Sequence, residues 1–359
     1  MARARRRRQP HLQASSCLCR PGLRAPGAPT GFVRKGARRL STIASFGFWS
    51  FVGIVAGIYT LFALGVQVQF GFAGLLNFGQ VAFMGIGAYT MAILVVKEDL
   101  NMWIAACCGV ALAMLAGVLL GLPTLRLRAD YFAITTIAFS EILRYVATNE
   151  DRLTGGSQGT INLAGIGRTS QYNSEWQSFL GKVERGLHIG GDAAMLILVW
   201  TVALLAVTAV WLMMKTPWGR VLKSIREDEE AVASLGKNVF SYKLQALVVG
   251  AALGAIAGLF YAWQFSFFSP DDFAPLLTFF AWMIVILGGL GRAWTVPVGA
   301  IVFGVIFAGT RFFDFAPFSL LDSTERAYVR LIVIGVVIIG LMLFRPQGIF
   351  GNRKEMVLE

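Results

Sequence analysis

The sequence alternates between long apolar runs and short polar connections. Nine of the runs are close to the length that a helix needs to cross a bilayer core of about 30 Å. They occupy 43–66, 80–96, 102–122, 131–148, 193–214, 244–265, 276–290, 296–313 and 328–344. We therefore predict an all-α fold, a polytopic transmembrane helical bundle of about nine spans within a membrane domain at 43–345.

The segment between the first two runs is apolar but interrupted by amides and glycines. Gln67, Asn77 and Gln80 lie in it, within QVQFGFAGLLNFGQ. Such residues inside a membrane segment indicate a broken or re-entrant helix, which is tolerated only where the backbone is buried or lines a cavity. We expect these amides to lie near a translocation pathway, and Gly85 and Gly87 to serve close helix packing.

A different pattern runs from 215 to 243, the only long polar segment with a helical repeat between apolar runs. Pro217 suits a first helical turn, and Gly236 suits a C-terminal stop. The apolar residues between them recur at spacings that form one stripe: Val221, Leu222, Ile225, Val232 and Leu235. We predict one amphipathic helix on the cytoplasmic surface that a soluble partner grips. A solvated loop helix is the alternative.

Basic residues indicate which connections lie inside the cell. Arg126 and Arg128 mark the connection 123–130 as cytoplasmic. Segment 215–243 carries six Lys and Arg, against four in the longer polar segment 149–192. We place 215–243 and the C-terminal tail 346–359 in the cytoplasm, and 149–192 outside as a docking loop. Nine crossings then leave the N-terminus outside, unless the broken segment adds a partial crossing or the N-terminal segment differs from that of the mature protein.

Two pairs of opposite charges lie at i, i+3 spacing within the apolar runs or at their ends. They are Glu141 with Arg144 and Arg311 with Asp314. A helix places the members of each pair on one face, so we predict two ion pairs. Charge inside a membrane indicates a functional site, and the pinning of neighbouring helices is the alternative.

Composition agrees with a membrane protein, because 56% of the residues are hydrophobic and 14% are charged. The net charge of +12 belongs to one segment: residues 1–40 contain eleven Lys and Arg and no acid, so the remainder carries 12 − 11 = +1. We predict that 1–42 is a disordered basic tail, which contacts anionic lipid or results from an upstream-misplaced start codon. The position of the charge argues against a nucleic-acid partner.

The sequence contains no motif for catalysis. No P-loop occurs, and TGGSQG at 154–159 lacks the Lys-Ser or Lys-Thr that a phosphate loop needs. The two histidines, His11 and His188, have no nucleophile motif near them. We therefore expect no catalytic residues, no metal site and no cofactor bound by this chain.

Several segments carry a family resemblance. Glu230, Ala231 and Gly236 resemble the EAA motif of ABC-importer permeases, whose coupling helix sits in a groove of the ATPase subunit. The longer match, GRVLKSIREDEEAVASLGKNVFSYKLQA, is similar to branched-chain amino-acid permeases of the LivM type. Val232 stands where the motif has a second Ala, and Lys237 stands where Ile is frequent. LRLRADYFAITTIAF, TGGSQG and LGGLGRAWTVPVGA resemble the same family.

The resemblance implies the permease subunit of an ABC importer that moves leucine, isoleucine and valine inward across the cell (inner) membrane. Its implied partners are separate ABC ATPase subunits that bind ATP and Mg²⁺, a second homologous permease of the LivH type, and an external substrate-binding protein. The expected ATPase-coupling residues are Arg220, Glu227, Asp228, Glu230, Ala231 and Gly236. A urea or amide importer of the same family and an ion-coupled secondary transporter are the alternatives.

Overall fold

The computed structural model describes residues 46–163 and 171–309, with five further helical positions between 332 and 340. Every regular element in these ranges is helical. The helices are α1 (Phe46–Val66), α2 (Gln80–Lys97), α3 (Met102–Thr124), α4 (Ala129–Asn149), α5 (Gln171–Leu187), α6 (Gly191–Lys215), α7 (Pro217–Glu227), α8 (Glu229–Ser234), α9 (Val239–Phe265), α10 (Leu276–Gly288) and α11 (Thr295–Gly309). The shorter elements are π-helical turns at Gln67–Phe72, α-helical turns at Asp151–Thr154 and Thr160–Leu163, and 3-10 turns at Gly156–Gln158 and Pro270–Phe273.

Apolar helices of membrane-spanning length account for much of the described chain. Five stretches qualify by length and composition, namely Phe46–Phe72, Gln80–Lys97, Met102–Thr124, Gly191–Lys215 and Val239–Phe265. α10 is apolar but shorter, and α4 carries three charged residues among its 21. The all-α prediction is confirmed. The count of nine spans stays a prediction, because the run at 328–344 is described at only five positions and both terminal tails lie outside the described residues.

α9 is the central helix of the bundle and packs against α1, α2 and α3. Its buried face consists largely of small residues, among them Ala246, Gly250, Ala251, Gly254, Ala255 and Gly258. In a membrane, small residues let helix backbones approach and gain van der Waals contact, since the hydrophobic effect no longer drives association. At Gly87 of α2, a Cβ would lie 2.6 Å from the carbonyl oxygen of Ala255. The close packing predicted for Gly87 is therefore present.

α3 and α6 lie at the periphery of the bundle. Each presents an exposed apolar face: Leu112, Leu115 and Leu119 on α3, and Leu204, Leu205 and Leu212 on α6. Only 39% of the apolar window of α3 and 33% of that of α6 is buried, against 72% for α9. Long helices with such faces are suited to contact with lipid, which solvates apolar side chains without cost.

The helix that begins with α1 ends at Phe72, and seven non-helical residues separate it from Gln80. Backbone in apolar surroundings has no water to bind, so these residues need hydrogen-bond partners from within the protein. Phe78 N donates to Thr136 Oγ1 of α4 (3.1 Å), and Trp282 Nε1 of α10 donates to the Asn77 carbonyl (3.1 Å). Just after the interruption, Val81 N in the first turn of α2 donates to Thr278 Oγ1 of α10 (3.0 Å). The interruption lies where the amides and glycines predicted it, and a re-entrant path stays a prediction.

Amide side chains tie the interruption to the central helix. Asn77 Nδ2 donates to Gln69 Oε1 at 2.8 Å. Gln69 Nε2 and Gln80 Nε2 then donate to carbonyls of α9, at Leu247 (3.2 Å) and Gly250 (2.7 Å). All three amides are at most 1% exposed. Burial without such bonds would cost several kcal/mol per group, so the cluster specifies how the broken segment sits on α9.

The polar segment 149–192, predicted as an external loop, is largely helical. Its main helix, α5, docks through Trp176, whose ring stacks on Trp263 of α9 with centroids 4.1 Å apart. Beside it, the Glu175 carboxylate accepts a hydrogen bond from Met102 N at 2.7 Å. A carboxylate is favourable there, because the first N–H groups of α3 lack partners within the helix. α5 is thus held against the end of the bundle where α3 begins.

Arg144 of α4 joins two carboxylates. It lies 2.8 Å from Glu141, which confirms the predicted ion pair, and 2.9 Å from Asp271 in the 3-10 turn Pro270–Phe273. The second contact spans 127 residues of sequence and fastens the end of α4 to that turn. The other predicted pair, Arg311 with Asp314, lies outside the described residues.

Replacing Gln80 by Met removes the amide but keeps the length of the side chain. The buried carbonyl of Gly250 then loses its donor, and we expect the free energy of unfolding to fall by about 1–2 kcal/mol. The measurement is the apparent melting temperature of the purified chain in detergent, followed by tryptophan fluorescence. Gln177→Met, on the exposed side of α5, is the matched control. Equal midpoints for the two variants would contradict the bridging role of Gln80.

Candidate functional site

Segment 215–243 forms two helices rather than the single helix that its apolar stripe predicted. α7 ends at Glu227 and α8 begins at Glu229, with Asp228 between them in an extended conformation (φ −151°, ψ 107°). The Asp228 carboxylate accepts a hydrogen bond from Ala231 N at 3.0 Å and so caps α8. Asp is a strong N-cap residue, and this local bond outweighs continuation of the helix.

The prediction that one apolar stripe is buried along this segment agrees with the structure for most of its length and is wrong at its C-terminal end. Leu222, Ile225 and Val232 are buried, with exposures of 0%, 3% and 6%. Leu235 was expected on the same face but is 80% exposed. α8 ends at Ser234, so Leu235 no longer follows the helical repeat, and the break at Asp228 has already changed its phase. The surface therefore carries a large apolar side chain that the pattern assigned to the interior.

The six residues expected to contact an ATPase all lie on the exposed surface of this segment: Arg220, Glu227, Asp228, Glu230, Ala231 and Gly236. Gly236 lies two residues after the end of α8 and has a φ of +76°, a conformation that favours glycine and stops the helix. No atom lies within 4 Å of where its Cβ would be. Leu235 and Gly236 thus form an open tip. A tip with one exposed leucine and a surround of charges suits insertion into a groove of a soluble protein.

Polar contacts hold the segment against α9. Lys243 of α9 forms an ion pair with Glu229 at the start of α8. Trp218 Nε1 of α7 donates to Gln245 Oε1 of α9 at 2.7 Å. Together with the buried stripe, these contacts fix α7 and α8 to the bundle, so the segment moves with the helices rather than as a free loop.

Arg226 connects α7 to the interrupted segment and was not singled out by the sequence pattern. Its Nη1 donates to the carbonyl oxygen of Gly71, in the last π-helical turn before the interruption, at 2.6 Å. Lys223, three residues earlier, lies 5.9 Å from the centre of the Phe72 ring. Cations are favourable at the carbonyl end of a helix, where the last C=O groups lack partners. The i, i+3 pair of basic residues beside the apolar stripe was the available signal.

The three amides expected near a pathway lie inside the bundle. Gln80 and Asn77 belong to the amide cluster, and Gln67 Nε2 donates to the carbonyl of Arg292 at 3.2 Å. Within the described part of the chain, the side-chain oxygen Oε1 of Gln67 is buried and has no hydrogen-bond partner. The structure therefore gives the amides contacts that stabilise packing, and their role in a pathway stays a prediction.

Metal-ligating residues do not cluster in the ranges that the structure describes, where no group of three or more His, Cys, Asp or Glu could hold an ion. The acidic residues of α7 and α8 are exposed, and one of them, Asp228, is engaged in capping. Chemically, the segment has an exposed surface with one large apolar side chain on one side and a cationic contact to the interrupted helix on the other.

Comparison with known proteins places similar sequences along nearly the whole membrane domain. A family model described as the permease component of branched-chain amino acid transport systems matches residues 49–342. The high-affinity branched-chain amino acid transport system permease protein LivM of Escherichia coli K12 is 33% identical over 302 residues, which are 81% of this chain and 67% of that protein.

More distant relatives show the same kind of similarity. The probable branched-chain amino acid transport permease protein LivM of Methanocaldococcus jannaschii is 23% identical over 83% of this chain and 91% of its own length. The permease protein LivH of a Salmonella typhimurium high-affinity branched-chain amino acid transport system is 24% identical, over 84% of this chain and 94% of its own. No solved structure matches the chain.

Replacing Arg226 by Ala should loosen α7 from the interrupted segment. The lost hydrogen bond to Gly71 is worth about 1 kcal/mol, so we expect amide hydrogen exchange in 70–79 and in α7 to become about fivefold faster. Hydrogen exchange with mass spectrometry on the purified chain measures this. Arg220→Ala removes an exposed arginine of the same helix and should leave exchange in 70–79 unchanged. Unchanged exchange in both variants would show that Arg226 does not hold the interruption.

Proposed function

The chain belongs to the permease components of branched-chain amino acid transport systems, and we propose that it is the membrane-spanning permease subunit of an ABC importer. Leucine, isoleucine and valine are its proposed substrates, since the relatives that it resembles along the membrane domain are named for that transport. It is an integral membrane protein. Energy for inward movement comes, in this proposal, from ATP and Mg²⁺ bound by separate ATPase subunits.

One observation supports the proposal beyond family membership: segment 215–243 has an exposed tip on one side and a hydrogen bond to the interrupted helix on the other. Leu235 and Gly236 project from its tip, where a groove of the ATPase subunit would receive them together with Glu230 and Ala231. On the opposite side, Arg226 binds the helix end at Gly71. Closure of the ATPase subunits would push α7 and α8, and the Arg226 contact would carry that displacement to the interrupted segment.

The remaining partners follow from the same assignment. We propose a second, homologous permease of the LivH type beside this chain, with the substrate path between the two subunits. An external substrate-binding protein would dock at the α5 end of the bundle, where Trp176 and Glu175 hold a polar helix in place. Segment 215–243 and the C-terminus would then face the cytoplasm, in agreement with their excess of basic residues.

The interrupted segment is the proposed gate of the path. Helix interruptions in transporters provide backbone that rearranges between two packed states. The side-chain oxygen Oε1 of Gln67 is buried without a hydrogen-bond partner in the described ranges. As the segment moves, this oxygen and the amides of Asn77 and Gln80 would exchange hydrogen bonds. The finer topology, with nine crossings and a re-entrant segment, belongs to this proposal as well.

Replacing Leu235 by Asp should abolish capture of the ATPase subunits without unfolding the permease, because the side chain is 80% exposed. Burying a charge in an apolar groove costs several kcal/mol, which would weaken binding by at least about a hundredfold. Co-purification with tagged ATPase subunits measures the effect, and Gly236→Asp combined with Glu230→Lys should act alike. Leu153→Asp makes the same change at a leucine that is 54% exposed in the turn Asp151–Thr154, outside segment 215–243, and is the control. Capture of ATPase subunits by Leu235→Asp would refute the docking assignment.

Replacing Arg226 by Gln should uncouple transport while leaving the assembly intact. In proteoliposomes with the binding protein, we expect leucine to stimulate ATP hydrolysis by the wild-type complex, and leucine uptake by Arg226→Gln to fall about tenfold. Arg226→Lys keeps the charge and should recover part of the uptake. Stimulation by urea and not by leucine would move the assignment to a urea importer. Uptake driven by an ion gradient without ATP would favour a secondary transporter.

A further inference from the structure

A cavity of about 180 Å³ lies between α2 and α4. Apolar side chains form most of its wall, including Val81 and Ile86 of α2 and Leu143 of α4, and Gly85 and Ala147 widen it. Arg144 and Tyr89 bring polar atoms to it. A Cβ at Gly85 would lie 3.4 Å from the Phe273 ring, so Gly85 packs against the turn Pro270–Phe273 as well as lining this space. We name this space the α2–α4 cavity.

The cavity results from how α4 is fastened. Near the start of α2, Thr136 accepts a hydrogen bond from Phe78 N, and a Cβ at Gly79 would overlap the Thr136 carbonyl. Near the other end of α4, Arg144 binds Asp271. The α4 residues that line the space include the small side chains of Ser140, between these two contacts, and Ala147, one turn beyond Arg144, and these leave part of it unfilled. The space is open on one side, where Leu112 and Val146 of its wall are 45% and 56% exposed, so a small molecule can reach it from the surface of the bundle.

Tyr89 has a buried hydroxyl that lacks a hydrogen-bond partner in the described parts of the chain. The residue is 8% exposed, lines the cavity, and packs its ring against Phe268 and Phe273 with centroids 5.0 and 5.8 Å away. A phenylalanine would make the same ring contacts without burying an unsatisfied polar atom. The hydroxyl therefore indicates a ligand that supplies the missing partner.

Charged groups of both signs stand beside the same cavity. The Arg144 guanidinium lines it and is 19% exposed, while its carboxylate partners Glu141 and Asp271 are 28% and 80% exposed. A zwitterion can bind such a set with its carboxylate on the guanidinium and its ammonium on a carboxylate. An apolar chamber with this arrangement beside it matches an aliphatic amino acid.

We propose that the α2–α4 cavity is a substrate subsite of the permease, in which the side chain of a branched aliphatic amino acid occupies the apolar space. The substrate carboxylate then lies against Arg144, and Tyr89 supplies a hydrogen bond. The volume agrees, because a cavity of about 150 Å³ accepts the six carbons of benzene, and the side chain of leucine has four carbons. This inference rests on the proposed function and adds to it a place where the substrate binds.

Crosslinking tests the location of the site. The full complex with its binding protein, in proteoliposomes, is illuminated with a leucine analogue that carries a diazirine in its side chain, and the labelled peptides are identified by mass spectrometry. We expect labels on the peptides that contain Gly85 and Ala147, and their loss when leucine is in excess. Labels confined to other parts of the permease would overturn the proposal.

Two variants test the function of the site. Ala147→Leu fills the cavity and should raise the apparent KM for leucine about tenfold, while affecting alanine less, because a smaller side chain still fits. Tyr89→Phe breaks no hydrogen bond within the described chain and should also raise the KM for leucine, by about fivefold. Ala209→Leu makes the same change as the first variant on the exposed side of α6 and should leave uptake unchanged.

The outcomes separate this inference from the proposed function. If the wild-type complex takes up no leucine, the proposed function fails and the subsite fails with it. If the wild type transports leucine and both Ala147→Leu and Tyr89→Phe retain its KM, only the subsite is refuted. Retention of a lipid by the wild type and its loss from Ala147→Leu, seen by native mass spectrometry with leucine uptake unchanged, would assign the cavity to an acyl chain instead.

Discussion

Backbone polar groups in an apolar environment must find partners inside the protein, and the arrangement of this bundle depends on that constraint. The helix beginning with α1 is interrupted for seven residues in the middle of the fold. Side chains remote in sequence bind the interrupted backbone: Thr136 accepts from Phe78 N and Trp282 donates to the Asn77 carbonyl, while Thr278 accepts from Val81 N in the first turn of α2. Without these bonds the open backbone would be too costly to bury.

The end of the helix before this interruption is also where α7, a helix at the protein surface, contacts the core of the bundle. Arg226 lies on α7, which precedes α8 and its exposed tip at Leu235 and Gly236, and its guanidinium binds the carbonyl of Gly71. The amide cluster around Asn77 then connects the interrupted segment to α9. A displacement of α7 therefore acts on the Arg226 hydrogen bond as well as on the apolar packing of Leu222 and Ile225.

α4 differs from the other long helices in how it is held. Thr136 accepts a hydrogen bond from Phe78 N, Arg144 binds Asp271, and the Phe139 ring contacts that of Phe83 with centroids 6.1 Å apart, while the apolar α2–α4 cavity lies beside these contacts. Its polar residues point toward the protein, where Ser140 and Arg144 line that space. The space that α2 and α4 leave unfilled gives the two helices room to shift relative to each other.

The sequence by itself determined the class of the fold, the bounds of most helices, the amphipathic segment before α9 and the Glu141–Arg144 pair, because all of these depend on local spacing and composition. The tertiary structure decided the rest. Arg226 meets Gly71 across 155 residues, and Arg144 meets Asp271 across 127; such contacts depend on how helices pack, which no local period records. Leu235 is exposed because a capping bond at Asp228 ends one helix and starts another, so a competing local interaction outweighed the periodic pattern.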